Sequence, residues 1–144
     1  MSGAVPGMLQ LFGDPLYFAN GDVVPAGTYR FTYLDGCMKY SDSQSWTVNA
    51  YATGTYATWQ VIGDDPGVFL GTLPGKSDYS TGGGADSDFE ACVDEGKTMP
   101  PLDVVFATPS KIGVRLSDSP VTDNAAGLNG RNPTWRLTKV DCGP

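Results

Sequence analysis

Residues Thr28 to Leu34 alternate strictly, with Tyr29, Phe31 and Tyr33 on one side and Thr28, Arg30 and Thr32 on the other. A period of two residues is the signature of a β-strand with one face in a core and one in water, and no helix can be built on it. Turn signals bracket the segment: Pro25-Ala26-Gly27 precedes it and Asp35-Gly36 follows. The rest of the chain repeats the theme less cleanly. Leu16–Ala19, Cys37–Tyr40, Asp103–Ala107, Ile112–Leu116 and Thr134–Val140 read as further short strands, and Trp46–Tyr51 and Thr55–Ile62 read as a strand pair about Thr53-Gly54.

Between Gly63 and Pro101 the character changes. Asp-Asp-Pro, Leu-Pro-Gly and Ser-Thr-Gly-Gly-Gly are followed by an acidic patch through Asp86, Asp88, Glu90, Asp94 and Glu95. This stretch reads as a loop insertion holding at most a short strand at Val68–Leu70 and a helical turn near Phe89–Val93. About eight short strands, none of them long, suit an all-β, jelly-roll-like sandwich of two antiparallel sheets better than a closed barrel. At 144 residues, with 40% hydrophobic content, residues 1–144 are expected to form a single domain.

Charge and composition exclude several kinds of function. Nine basic against 16 acidic residues give a net charge of −7, which repels phosphate backbones and anionic lipid heads, so no nucleic-acid partner is expected. Histidine is absent, which removes the usual imidazole acid or base and the Ser-His-Asp and Cys-His nucleophiles. The acids are mostly Asp, suited to turns and to oxygen-rich cation sites. No apolar run approaches the about 20 residues that span a bilayer, and Met1-Ser2-Gly3 leads into no basic and apolar export signal, so membrane insertion is not expected. Cys37, Cys92 and Cys142 allow at most one internal disulfide, and neither its existence nor its pairing follows from spacing.

Several motif readings fail on inspection. Asp86-Ser87-Asp88 opens like a calcium-binding helix-loop-helix, but Ala91 occupies the glycine position and Lys97 the position of the bidentate Glu. Gly82-Gly83-Gly84 lacks the Lys-Ser/Thr of a phosphate loop. Asp64 and Asp65, adjacent on a turn before Pro66, point apart, whereas glycosidase carboxylates face each other across about 5–9.5 Å. Turn chemistry accounts for that pair, and no catalytic residues are expected.

The segment Asp118-Ser119-Pro120-Val121-Thr122-Asp123-Asn124 is more informative. Two carboxylates, an amide and loop carbonyls within seven residues form the all-oxygen ligand set of a hard cation such as calcium, which takes 6–8 oxygens at about 2.3–2.6 Å. Ordinary Asx-turns explain the same composition. A second segment bears on the choice. Gly36, Tyr40, Gln44 and Trp46 follow the spacing found in the calcium-dependent galactophilic lectins of bacteria, and Asp118, Pro120 and Thr122 resemble the second loop of the same family, in the same chain order.

In that family a small β-sandwich holds calcium between the two loops, and two vicinal hydroxyls of a galactose-type sugar complete its shell. The resemblance implies Tyr40 and Thr122 as main-chain carbonyl ligands and Asp118, Asp123 and Asn124 as side-chain ligands, with Tyr40, Asp118 and Asn124 also meeting the sugar. Asp123-Asn124 stands where the family has two Asn, in a loop one residue shorter, and the family's sugar-contacting His and Gln have no counterpart. By position, Asn49 and Tyr51 would rim the site instead. Trp46, Trp59, Trp135 and Tyr51 are candidates for stacking on a pyranose, each weighed against a place in the core.

The expectation is therefore a non-catalytic, secreted bacterial protein, extracellular or cell-surface associated. It would bind glycans or glycoconjugates through Ca2+ and act as a homo-oligomer or as a module of a larger protein. The alternative is a structural or protein-interaction sandwich whose loops a calcium ion stiffens without sugar binding.

Overall fold

The structure, a computed structural model, describes residues 3–4, 16–38, 58–73, 88–117, 131 and 133–140. In chain order the elements are β1 (Gly3–Ala4), β2 (Leu16–Tyr17), β3 (Gly27–Asp35), β4 (Thr58–Ile62), β5 (Phe69–Thr72), α1 (Phe89–Gly96), β6 (Leu102–Phe106), β7 (Gly113–Ser117) and β8 (Thr134–Lys139).

The alternating segment becomes the central strand β3, with Tyr29 and Phe31 fully buried and Tyr33 nearly so. On one side it pairs antiparallel with β6, from Gly27 opposite Phe106 to Phe31 opposite Leu102. On the other it pairs with β8, from Tyr29 opposite Lys139 to Asp35 opposite Thr134, with an irregularity between Tyr33 and Asp35. The sheet order is β1-β8-β3-β6, and the second sheet runs β2-β7-β4-β5. Among the described strands, only the β4–β5 connection stays within one sheet, and the others cross to the opposite sheet. That is the strand order of a jelly roll, in which two Greek keys are wrapped into a sandwich.

Rows of aromatic and aliphatic side chains fill the space between the sheets: Tyr29, Phe31, Tyr33, Val104, Phe106, Trp135 and Leu137 from the first, and Val61 and Val114 from the second. Phe18 reaches from the end of β2 to Phe31 edge-on, ring centres 5.9 Å apart, tying the sheets together. Tyr33 and Trp135, directly opposite in register, meet edge to face at 5.6 Å, a geometry that adds to the burial of both rings.

Several boundaries differ from the sequence reading, for local reasons. The Leu16–Ala19 strand stops at Tyr17 because Ala19, Asn20 and Gly21 all adopt positive φ (53°, 55° and 81°). The Asn-Gly pair tolerates that region, and the chain curls with Asp22 N–H bonding the Ala19 carbonyl. Trp46–Tyr51 lies outside the described residues, and at Gln60–Ile62 both edges of β4 are taken, by β5 and β7.

The 63–101 region contributes a strand of the second sheet, β5, and the helix α1. Phe89, Cys92, Val93 and Gly96 are the buried residues of α1, at helical spacing. Pro100-Pro101 follows the helix and prevents its continuation.

Candidate functional site

The strand order sorts the connections to two ends. At one end lie the short ones, 18–26, 63–68 and 107–112, stitched together by hydrogen bonds. Val24 and Ser110 exchange N–H to carbonyl bonds of 2.8 and 3.1 Å, Phe18 N–H donates to the Ile112 carbonyl at 2.8 Å, and Lys111 N–H donates to Asp64 Oδ1 at 2.8 Å. Asp65 Oδ1 accepts from Gly67 N–H at 2.9 Å. Asp65 thus makes the local turn contact expected of the pair before Pro66, whereas Asp64 reaches across to the β6–β7 connection.

At the other end lie the connections β3–β4, β5–β6 and β7–β8. The segment beginning at Gly36 leaves from the end of β3, beside the start of β8, where Asp35 lies opposite Thr134. The segment beginning at Asp118 leaves from the end of β7, beside the start of β4, where Ser117 lies opposite Thr58. Both sequence motifs are therefore carried by connections that start at the same end of the sandwich. The predicted ligand and sugar-contact residues Tyr40, Asn49, Tyr51, Asp118, Thr122, Asp123 and Asn124 lie outside the described residues, as do Gln44 and Trp46. Among the described residues no group of three or more His, Cys, Asp or Glu is arranged to hold a metal.

What the described residues do show at this end is a junction that sequence reasoning missed. Arg131, in the β7–β8 connection, donates from Nε to Asp35 Oδ2 at 3.2 Å and from Nη2 to Asp35 Oδ1 at 2.7 Å. Its Nη1 reaches Glu90 of α1, and its guanidinium lies over the Phe89 ring, 5.0 Å from the centroid. The Arg131 carbonyl accepts from Cys37 N–H at 3.1 Å, and Cys37 is bonded to Cys92 of α1, with Cα atoms 6.6 Å apart. Both cysteines are buried.

Gly36 sits between the two attachments at φ 89°, where a side chain is strained, and its carbonyl accepts from Tyr33 Oη at 2.5 Å. One arginine thus joins the start of the β3–β4 connection, the end of the β7–β8 connection and the helix of the β5–β6 connection.

The electrostatics follow from these contacts. Hydrogen bonding from Arg131 holds the Asp35 carboxyl below its ordinary range, against the opposing effect of partial burial. Arg131 is in turn pushed up, first by its bonds to Asp35 and then by those to Glu90. Burial, then the negative charge of Asp35, pushes the Tyr33 phenol upward. A carboxylate locked in a guanidinium fork is a poor proton donor or acceptor, so the junction is built for holding rather than for acid–base chemistry. The only prior hint was Cys37 and Cys92 as possible partners; a single arginine before Asn132-Pro133 carries no pattern.

Of the stacking candidates, Trp135 is removed. It is 2% exposed and packed on Tyr33, and its indole N–H has no hydrogen-bond partner among the described residues. No protein-family model, curated protein or solved structure matches this chain.

Proposed function

We propose that the protein is a non-catalytic, calcium-dependent carbohydrate-binding sandwich whose site is shared by the β3–β4 and β7–β8 connections. The observation that carries this reading is the strand order, which starts the Tyr40-bearing and the Asp118-bearing connections from one end of the fold. Two stretches separated by most of the chain can share an ion only if the topology brings their anchors together, and a jelly roll does so.

The donor set is chemically suited to calcium: Tyr40 and Thr122 would offer carbonyls, and Asp118, Asp123 and Asn124 side-chain oxygens. A calcium ion bound there would supply coordination positions for neutral vicinal hydroxyls, of galactose type by resemblance. The chain's carboxylates would accept hydrogen bonds from those hydroxyls, and Asn49 and Tyr51 would rim the sugar. The Cys37–Cys92 bridge supports a secreted or cell-surface setting, since disulfides persist in oxidising compartments. One monosaccharide site binds weakly, so attachment to glycoconjugates would rely on repetition, in an oligomer or a larger protein.

Isothermal titration with galactosides and a panel of other glycans, in calcium and again in excess chelator, tests the reading. Heat in calcium that vanishes with chelator is the expected result. A chelator-sensitive melting temperature with no saccharide heat would instead favour a structural or interaction domain whose loops calcium stiffens. Equal heat in both conditions would remove the metal from recognition.

A further inference from the structure

We propose that the outer edge of β5 is a self-association surface on which a second copy of this chain pairs antiparallel. The surface is formed by β5 rather than by the β3–β4 and β7–β8 connections, and nothing in it depends on a metal. Four of the described strands lie at sheet edges, β1 and β6 in the first sheet and β2 and β5 in the second. An edge strand presents unpaired N–H and C=O groups to any strand that can lie beside it, and proteins guard such edges by shortness, charge or proline. β1 and β2 are two residues each. β6 follows Pro100-Pro101 and carries Asp103, bonded to Arg30 at 2.8 and 3.0 Å. From Val68 to Leu73, β5 and its flanks hold neither charge nor proline.

β4 takes one side of β5, and among the described residues no strand takes the other. Val68, Phe69 and Leu70 are 50, 44 and 44% exposed, three consecutive large apolar side chains in water. An irregularity in the β4 ladder leaves Leu70 with no residue opposite it, and its side chain lies beside Gly63, which has none of its own.

Charge selects the occupant. At −7 the chain repels its own copies, and that repulsion is least along a strip where no charge stands. The same strip offers a charged partner nothing beyond its backbone, whereas a second β5 brings an equally apolar, uncharged edge. Asp64 and Asp65 precede the strip, and antiparallel pairing sets the two acidic pairs at opposite ends of it. Pairing about a two-fold axis uses both free edges, so assembly closes at two copies. Val68–Thr72 is short against the about 20–30 residues a side of a standard interface, so the dimer is weak, with a dissociation constant above about 1 μM.

The test is sedimentation velocity of the full chain in excess chelator, from about 10 μM to about 1 mM, which spans the weak range. The wild type shifts reversibly from one copy to two as concentration rises, and exchange slows at the β5 amides that point away from β4. Leu70→Lys, whose stem still covers Gly63, sets two ammonium groups close together across the axis and weakens the dimer at least about 100-fold. Leu70→Glu does the same with two carboxylates. An equal mixture of the two variants restores the dimer, which misfolded variants could not do. Val23→Lys, at an apolar side chain 58% exposed and outside the strands, leaves association unchanged.

A wild type that stays monomeric throughout overturns the proposal, as do assembly beyond two copies, no recovery in the mixture, or an equal loss in Val23→Lys. Protection of the outward β5 amides in the monomer also overturns it, because another segment of the same chain would then cover the edge.

Discussion

Removing the Cys37–Cys92 bridge is the perturbation whose size follows most directly from the structure. The cysteines are 55 residues apart in sequence, and the loop they close contains β4 and β5. On the chain-entropy account, cross-linking a loop of that length destabilises the unfolded ensemble by about 4 kcal/mol at 25 °C. Total stability for a domain of this size is about 5–15 kcal/mol, so the unbridged protein should fold with little to spare.

The helix should feel the loss first. Eight residues are too few to hold a helix in water, and α1 depends on the bridge, on Phe89 and Val93, and on Arg131. The assay is urea unfolding of the wild type, both single Cys→Ala variants and the double variant. With a slope of about 2 kcal/mol/M, the midpoint should fall by about 2 M. Each single variant should lose nearly the whole amount and the double variant scarcely more, since either change breaks the same bond. Wild type in reductant should superpose on the double variant. Additive single losses, or a total below about 1 kcal/mol, would show that the bridge does not restrain the unfolded chain as its length implies.

Acid unfolding should report on Asp35. Its folded-state carboxyl lies below the ordinary value of 3.8 because Arg131 hydrogen-bonds the ionised form. The associated stability is therefore complete above about pH 4 and is lost as pH falls through the lower folded value. In Asp35→Asn the stability profile between pH 2 and 5 should be flatter than in the wild type, as followed by urea midpoints; an unchanged slope would contradict the pairing. In the core, Phe31→Ala should cost about 3–5 kcal/mol by thermal unfolding, because the ring is fully buried and edge-packed on Phe18. Arg30→Ala, one residue away on the solvated face, should leave the melting temperature nearly unchanged although it removes a two-point contact with Asp103.

How legible each part was depends on the range of the interaction that makes it. Tyr29, Phe31 and Tyr33 announced β3 because one side of that strand is core and the other solvent, a pattern local to seven residues. The positions of β6, β7 and β8 were readable to within a residue or two for the same reason. Where β2 ends was not, because the end is set by consecutive positive φ angles at Ala19 to Gly21, and Ala19 is a residue that seldom adopts them.

Long-range partners were hidden altogether. Nothing near Arg131 in sequence points to Asp35, 96 residues earlier, or to Glu90, 41 residues earlier. Nor does spacing select Cys92 over Cys142 as the partner of Cys37. The candidate ligands Tyr40, Asp118, Thr122, Asp123 and Asn124 rest on oxygen-rich chemistry and lie outside the described residues; strand order, which no local pattern reveals, starts the connections that carry them at one end of the fold.

The two ends of the sandwich are held together in different ways. The short-connection end is fixed by its own backbone: the Val24–Ser110 bridge, the Phe18–Ile112 bond and the Asp64 clasp on Lys111 leave little room for variation. Long connections are where sequence can vary without disturbing the core, and a rigid scaffold is what makes them usable for recognition. Here the scaffold extends past the strands through a disulfide and a guanidinium that also engages two carboxylates. Those acids, Asp35 and Glu90, tie β3 and α1 to the β7–β8 connection through one guanidinium. On the proposed calcium reading, that base suits recognition in which a ligand's own hydroxyls fill an ion's open positions.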